Sequence, residues 1–183
     1  WPLLRLMKLS DSLGPNGSKF VGRCKQLRSY LYTLRDEYEA AGREDMALLV
    51  ATVCTTMVDG PYWSKLNCEW HLAAYTLDYE FYDDRPWEEP ECRTALMSVC
   101  ERLLYPLEGA ELDDEMRKVE RDLGFYFQKQ GIFMKSHIWP KRANGVLVEK
   151  DPMPAFAFFQ NFGANMGIAQ KLAIKITAQN TSE

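Results

Sequence analysis

The sequence lacks the features that would place it in several large functional classes. No apolar run approaches the ~20 residues that a helix needs to cross a bilayer, so no transmembrane helix is predicted. Gly14–Lys19 contains glycine, serine and lysine, but not in the order of a phosphate-binding loop, and no glycine-rich dinucleotide fingerprint follows a strand. A net charge of −4 argues against binding to a phosphate backbone, which normally requires a basic patch.

Residues typical of catalytic and metal sites are also scarce. The chain has two histidines, and the sequence places no serine or cysteine nucleophile with His137. Cys68 and His71 are spaced like two zinc ligands, but no second pair stands at a suitable spacing. The pair Asp83–Asp84 begins an aspartate-rich metal motif that stops at Trp87. The sequence therefore predicts a protein that is not an enzyme and that holds neither a metal nor another cofactor.

The five cysteines are an odd number, scattered along the chain without the spacing of a disulfide framework. Cys54, Cys68 and Cys100 lie within helical patterns, which predicts reduced, buried thiols. This usage favours the cytosol, the nucleus or an organelle matrix over secretion. The chain begins at Trp1 rather than Met, which a cleaved transit peptide would explain, as would truncation.

The strongest pattern in the sequence is helical and lies in residues 30–57. Two apolar faces with helical spacing are separated by Gly42, the residue type that most readily ends a helix in a left-handed conformation. The first face comprises Leu31, Leu34, Tyr38 and Ala41; the second comprises Met46, Leu49, Val50, Val53, Cys54 and Met57. The pattern predicts a helical hairpin that needs neighbours to cover its surface.

Within this hairpin the chain resembles a pentatricopeptide repeat. Such repeats are helical hairpins of about 35 residues, related to tetratricopeptide repeats. The residues that carry the resemblance are Leu34, Tyr38, Gly42, Arg43 and Ala47; Leu123, Phe127 and Gly131 repeat the spacing, and Leu77, Phe81 and Arg85 give a degenerate copy. The resemblance implies a mainly α fold, a solenoid of about three stacked helical hairpins.

The remaining pattern predicts three regions. Residues 1–17 form an N-terminal arm, residues 18–140 form the helical-hairpin repeat domain, and residues 141–183 form an irregular C-terminal extension. Further helices are predicted from about Ser64 to Phe81, from Glu91 to Leu104, from Leu112 to Gln130 and, as a short one, from Ile132 to Trp139. In the extension, residues 146–148 and 171–179 resemble short strands.

Two aromatic segments are predicted to bind a partner, because aromatic residues are enriched at interface cores. Residues 78–91 carry seven carboxylates in fourteen residues, and Tyr82 and Trp87 lie among them. The extension carries four phenylalanines beyond the repeats: Phe156, Phe158, Phe159 and Phe162. An exposed patch of four would be unfavourable, so we expect the phenylalanines to be covered, either by the helix near Ile138 and Trp139 or by a partner, and we favour the partner.

Two functions fit this fold. The first is a scaffold or accessory subunit that contacts other protein subunits. The second is an RNA-binding pentatricopeptide protein in which the residue before each motif leucine reads a base, here Thr33, Thr76 and Asp122. The acidic balance and the small number of repeats favour the first function.

In size and hairpin number the chain is similar to the small pentatricopeptide-like subunit bound to the alpha subunit of the catalytic head in euglenozoan mitochondrial ATP synthases. That resemblance implies a non-catalytic structural subunit in the mitochondrial matrix, without a cofactor of its own.

Overall fold

The structure is a computed structural model that describes residues 17–58, 68–140, 142–143, 146–147 and 153–178. As predicted, this part of the chain is mainly helical. The α-helices are α1 (Gly17–Ala40), α2 (Glu44–Val53), α3 (Glu69–Leu77), α4 (Pro90–Leu103), α5 (Gly109–Phe127), α6 (Ala155–Phe162) and α7 (Gly167–Thr177). A π-helical turn (Cys54–Val58) continues α2. Short 3-10 helices span Tyr79–Asp84, Pro86–Glu88, Gly131–Met134, Ser136–Ile138 and Ala164–Met166. The predicted arm 1–17 lies outside the described residues, apart from the first residue of α1.

The predicted hairpin is formed by α1 and α2. Gly42 takes the left-handed conformation (φ +68°) that a helix end of this type requires. Its N–H donates to the Glu39 carbonyl (3.0 Å), and the Arg43 N–H donates to the Tyr38 carbonyl (2.9 Å), so the last carbonyls of α1 are satisfied. The predicted apolar face of α2 needs one correction, because Leu49 is exposed and Ala47 is buried in its place.

Helices α3 and α4 form a second antiparallel pair. Glu69, at the start of α3, bonds Arg102 at the end of α4, and the Thr76 hydroxyl approaches the Cys92 carbonyl (3.4 Å) at the other end. The helix predicted to reach Phe81 ends instead at Leu77. The Asp78 carboxylate accepts a hydrogen bond from the Glu80 N–H (3.0 Å) and so starts a 3-10 helix.

The first half of α1 lies across α3 and α4. A small core cluster joins the three helices and the 3-10 segment, and comprises Val21, Leu72, Tyr75, Phe81, Cys92 and Ala95. Gly22 allows the close approach, because a Cβ at this position would lie 2.2 Å from the Phe81 ring. Ion pairs at the edge of the cluster join Lys19 and Arg23 of α1 to Glu80.

The larger core lies between α3, α4, α5 and the C-terminal helices. Tyr126 of α5 is fully buried, and its ring packs edge-on against Phe133 (5.5 Å) and Phe159 (5.2 Å). The Tyr79 ring stacks on Phe158 (4.5 Å, 9°). The predicted boundary at residue 140 therefore does not separate two packing units, because α6 and α7 complete the core of the preceding helices.

In the C-terminal segment one predicted strand is corrected and the other is present. Residues 171–177, predicted as a strand, belong to α7, whose buried residues Ala169, Leu172, Ala173 and Ile176 have helical spacing. The strand predicted at residues 146–148 is present as Val146–Leu147, which pairs antiparallel with Arg142–Ala143.

The described helices do not repeat the α1–α2 hairpin at the other two motif copies. Leu77 ends α3 and Phe81 lies in a 3-10 helix, so at the degenerate copy the paired helices α3 and α4 are joined by a longer connection without the tight glycine turn. Gly131 has a positive φ (+60°), like Gly42, but two 3-10 turns follow it at the short helix predicted from Ile132 to Trp139. The solenoid arrangement therefore stays a prediction.

Candidate protein-binding groove

An open groove of about 1230 Å³ lies where the 3-10 segments, the outer face of α4 and the end of α5 meet. Each wall comes from a different part of the chain: Tyr82–Glu88 from the 3-10 segments, Arg93–Glu101 from α4, and Phe127–Lys129 from the end of α5. The connection between α3 and α4 supplies the aromatic wall because its two 3-10 helices fold it onto the end of α5.

The aromatic wall consists of three half-buried rings. Trp87 stacks on Phe127 (5.1 Å, 19°), and Tyr82 lies 4.6 Å from Trp87. The Tyr82 hydroxyl donates to the Phe127 carbonyl (2.7 Å), which fixes the connection to the end of α5. Burial raises the pKa of Tyr82, so this hydroxyl remains a donor at neutral pH.

Two residues at the groove have strained backbones. Arg85 and Lys129 both have φ +49°, and they are the only non-glycine residues with positive φ in the described ranges. This conformation is unfavourable for side chains with a Cβ, and such residues are often found at functional sites. The Lys129 ammonium lies over Tyr82 (4.3 Å) and Trp139 (4.5 Å), and these contacts stabilise its position.

The charges along the groove are mixed. Arg85 pairs with Glu88 (3.1 Å), and Arg93 is 3.9 Å from Glu120 of α5. Asp83 and Glu101 add negative charge to the same rim. An apolar aromatic centre with a polar, mixed-charge rim is the composition of a protein-binding surface.

The predicted site residues Tyr82 and Trp87 therefore meet in this groove. Sequence reasoning missed Met97, Phe127 and Lys129, which complete it. Phe127 was noticed only as a repeat position, and no sequence signal places it against a tryptophan 40 residues earlier in the chain.

The acidic stretch around Tyr82 is less open to solvent than its composition suggests. Asp78 and Glu80 are buried, and the Glu80 carboxylate bonds both Lys19 and Arg23 of α1. Glu89 bonds Lys25 of the same helix. Glu80 and Glu89 therefore hold α1 in place, and the buried Asp78 and Glu80 do not belong to a solvated or partner-facing surface.

The four phenylalanines predicted to dock on a partner do not form one exposed surface. Phe158 and Phe159 lie in the larger core, at 1% and 0% exposure, so neither offers a surface to a partner. Phe156 and Phe162 are half-buried on α6, and Phe162 packs against Phe158 (5.3 Å). The cluster therefore belongs to the fold of this domain.

Two of the three predicted RNA-reading residues are inaccessible. Thr76 is buried and its hydroxyl donates to the Leu72 carbonyl (2.7 Å). Asp122 is buried beside Arg121 (2.9 Å). Thr33 is exposed on α1, and its hydroxyl is bonded to the Ser29 carbonyl (3.1 Å). These positions do not form a surface that a nucleic-acid strand can follow.

All five cysteines are free thiols, and four of them are buried; Cys68, predicted to be buried, is exposed. Burial raises the pKa of Cys24 to about 11 and that of Cys92 and Cys100 to about 12. In the part of the chain that the structure describes, no three His, Cys, Asp or Glu side chains converge as metal ligands. None of the described helices is both long and apolar enough to cross a membrane.

Comparison with protein-family models, with curated proteins and with solved structures found no match.

Proposed function

We propose that this chain is a non-catalytic accessory subunit that binds a partner protein through the groove beside α4. The observation that carries the proposal is the aromatic wall, in which Trp87, Tyr82 and Phe127 line an open groove with partly exposed rings. Aromatic residues contribute a large share of binding energy at protein interfaces, and tryptophan and tyrosine most of all.

The aromatic wall favours an extended segment of the partner. Aromatic grooves bind extended peptides by packing against their side chains, while tryptophan N–H groups donate to their carbonyls. Glu88 and Glu101 would contact basic residues of such a segment at the rim, and Arg93 would contact acidic ones.

For the larger assembly we propose the catalytic head of a mitochondrial ATP synthase, with its alpha subunit as the partner and the mitochondrial matrix as the compartment. The support is the resemblance of residues 34–47 to a pentatricopeptide repeat, together with the tight α1–α2 hairpin. The solenoid of stacked hairpins is part of the same proposal. Reduced thiols suit a matrix protein.

The test is purification of the tagged native chain from its source and identification of the proteins that accompany it. Trp87→Ala should abolish the association, because it removes the centre of the aromatic wall. Tyr105→Ala, which truncates an aromatic residue that is 79% exposed outside the groove, is the matched control and should retain the partner. Thr94→Arg fills the groove from an exposed position on α4 and should act like Trp87→Ala without disturbing the wall.

The outcomes separate the parts of the proposal. If the partner still co-purifies with both the Trp87→Ala and the Thr94→Arg variants, the groove is not the binding site. If both variants lose a partner that is not an ATP synthase subunit, the groove is supported as the binding site. The proposed assembly is then wrong. A complex that nuclease treatment dissolves contradicts the accessory-subunit function and restores the RNA-binding alternative.

A further inference from the structure

Helix α2 and its π-helical turn expose an uncharged outer face. No charged residue occurs between Met46 and Val58. The inner face packs on α1 through Ala47, Val50 and Cys54, all buried. On the outer face, Leu48 is 69% and Leu49 57% exposed. The outer face therefore lacks the charged residues of a solvent-facing surface. A helix of this kind is normally buried on both faces.

The threonines of this face do not make it polar. Thr52 donates to the Leu48 carbonyl (2.9 Å), Thr55 to the Ala51 carbonyl (2.9 Å) and Thr56 to the Thr52 carbonyl (2.7 Å). With their donors used inside the helix, the exposed threonines can enter an interface without losing a hydrogen bond to water. They share the outer face because Thr52 and Thr55 follow Leu48 at helical spacing, and Thr56 follows Leu49 two turns on.

The hairpin tip beside this face is acidic. Residues 35–45 carry five carboxylates and two arginines, a net charge of 2 − 5 = −3. Glu44 and Asp45 begin α2 and are exposed next to Leu48 and Leu49. An occupant of the outer face would therefore be attracted by positive charge at the tip and by apolar surface along the helix.

The size of the face limits what can bind to it. Glu44–Val58 comprises ten residues of α2 and five of the π-helical turn, a length of ~22 Å. With a helix width of ~10 Å, the footprint is roughly 200 Å², against ~800 Å² on each partner in a stable dimer. An area of this size supports only weak association with any occupant, and among possible occupants a single helix of three to four turns matches its length.

We infer that the outer face of α2 binds one amphipathic helix of a partner protein, with its apolar stripe on Leu48 and Leu49 and its basic end at the acidic hairpin tip. This site shares no residue with the groove beside α4 and does not depend on what the groove binds.

The probe is a fluorescent 18-residue helical peptide with a leucine stripe and lysines at one end, compared with the same peptide carrying glutamates in place of the lysines. Anisotropy titration of the full chain should give at least tenfold tighter binding of the lysine peptide. The double variant Leu48→Gln, Leu49→Gln should weaken that binding at least tenfold. Met134→Gln changes a similarly exposed apolar residue elsewhere (74%) and should leave it unchanged. Glu44→Lys with Asp45→Lys should reverse the preference between the peptides.

Four results would overturn the inference. The first is absence of binding by either peptide at millimolar concentration, and the second is binding that Leu48→Gln, Leu49→Gln leaves unchanged. The third is concentration-dependent dimerisation of the wild-type chain that this double variant abolishes, which would make a second copy the occupant. The fourth is a fall of more than 5 °C in melting temperature caused by this double variant, which would mean that the chain's own residues cover the face.

Discussion

Replacing Gly22 by alanine tests how α1 packs on the body of the protein. A Cβ at Gly22 would lie 2.2 Å from two carbons of the Phe81 ring and 2.7 Å from a third. The ring has little room to move, because Phe81 is 1% exposed and packs against Tyr75 (5.2 Å) on another side. Arg23 lies over the same ring (5.6 Å), so a displaced Phe81 would also disturb the ion pair between α1 and Glu80.

Two effects oppose each other in Gly22→Ala. Alanine is favoured over glycine in a helix interior by about 1 kcal/mol. Adding a methyl group to a tightly packed core costs about 1–3 kcal/mol, and a contact of 2.2 Å places this site at the upper end. We therefore expect a net destabilisation of about 2 kcal/mol, which corresponds to a melting temperature lower by about 4–8 °C for a chain of this length.

The assay is thermal and urea unfolding followed by circular dichroism, with Gly124→Ala as the matched control. Gly124 also lies within an α-helix, but nothing is within 4 Å of the position of its Cβ. Gly124→Ala should therefore stabilise the protein, by up to about 1 kcal/mol. If both substitutions raise the melting temperature, α1 does not lie against Phe81 and the packing described above is wrong.

Three further predictions concern single residues. Gly42→Val should destabilise the protein by more than ~1 kcal/mol in urea unfolding, because valine is strained at φ +68°; an unchanged midpoint would contradict the hairpin turn. Glu80→Gln should cost about 2 kcal/mol in the same assay, since it leaves two partly buried cations without their carboxylate, whereas the exposed Glu88→Gln should stay within ~0.5 kcal/mol. Ellman's reagent should label Cys68 within seconds and the four buried thiols only on unfolding; a second fast thiol in the native state would refute the burial.

The α1–α2 hairpin was predictable because its determinants are local. Gly42 supplies the left-handed conformation, and the residues that satisfy the end of α1 lie within five positions of one another. Helix α7 was also readable from the sequence, since Ala169, Leu172, Ala173 and Ile176 have helical spacing. Residues 171–177 taken without Ala169 show a short alternation of apolar and polar residues, which is typical of a strand. The helical spacing becomes clear only when Ala169 is included.

The acidic stretch shows what composition alone does not reveal. Glu80 pairs with residues 57 and 61 positions earlier in the chain, and no local pattern indicates that α1 lies across it. The groove likewise depends on contacts between segments that are distant in the chain. Tyr82 and Trp87 were singled out for their residue type, but their position depends on a hydrogen bond to the Phe127 carbonyl at the end of α5. Contacts between distant segments decide which carboxylates and rings remain available to a partner.

Helix α1 packs on the body of the protein through its first half, and its second half projects beyond that contact. It is 24 residues long, about 36 Å, and from Lys19 onward its buried residues are Val21, Gly22 and Cys24, while no residue from Gln26 to Ala40 is buried. Within the described residues α2 packs chiefly on α1, and α1 in turn packs on α3 through its first half. The backbone amides of the hairpin tip should exchange with solvent through local unfolding of lower free energy than that required for α4. Helix α4 contributes buried residues to both core clusters. Among the described contacts, a load applied at the tip would reach the body through the small core cluster around Phe81 and the Glu80 ion pairs beside it.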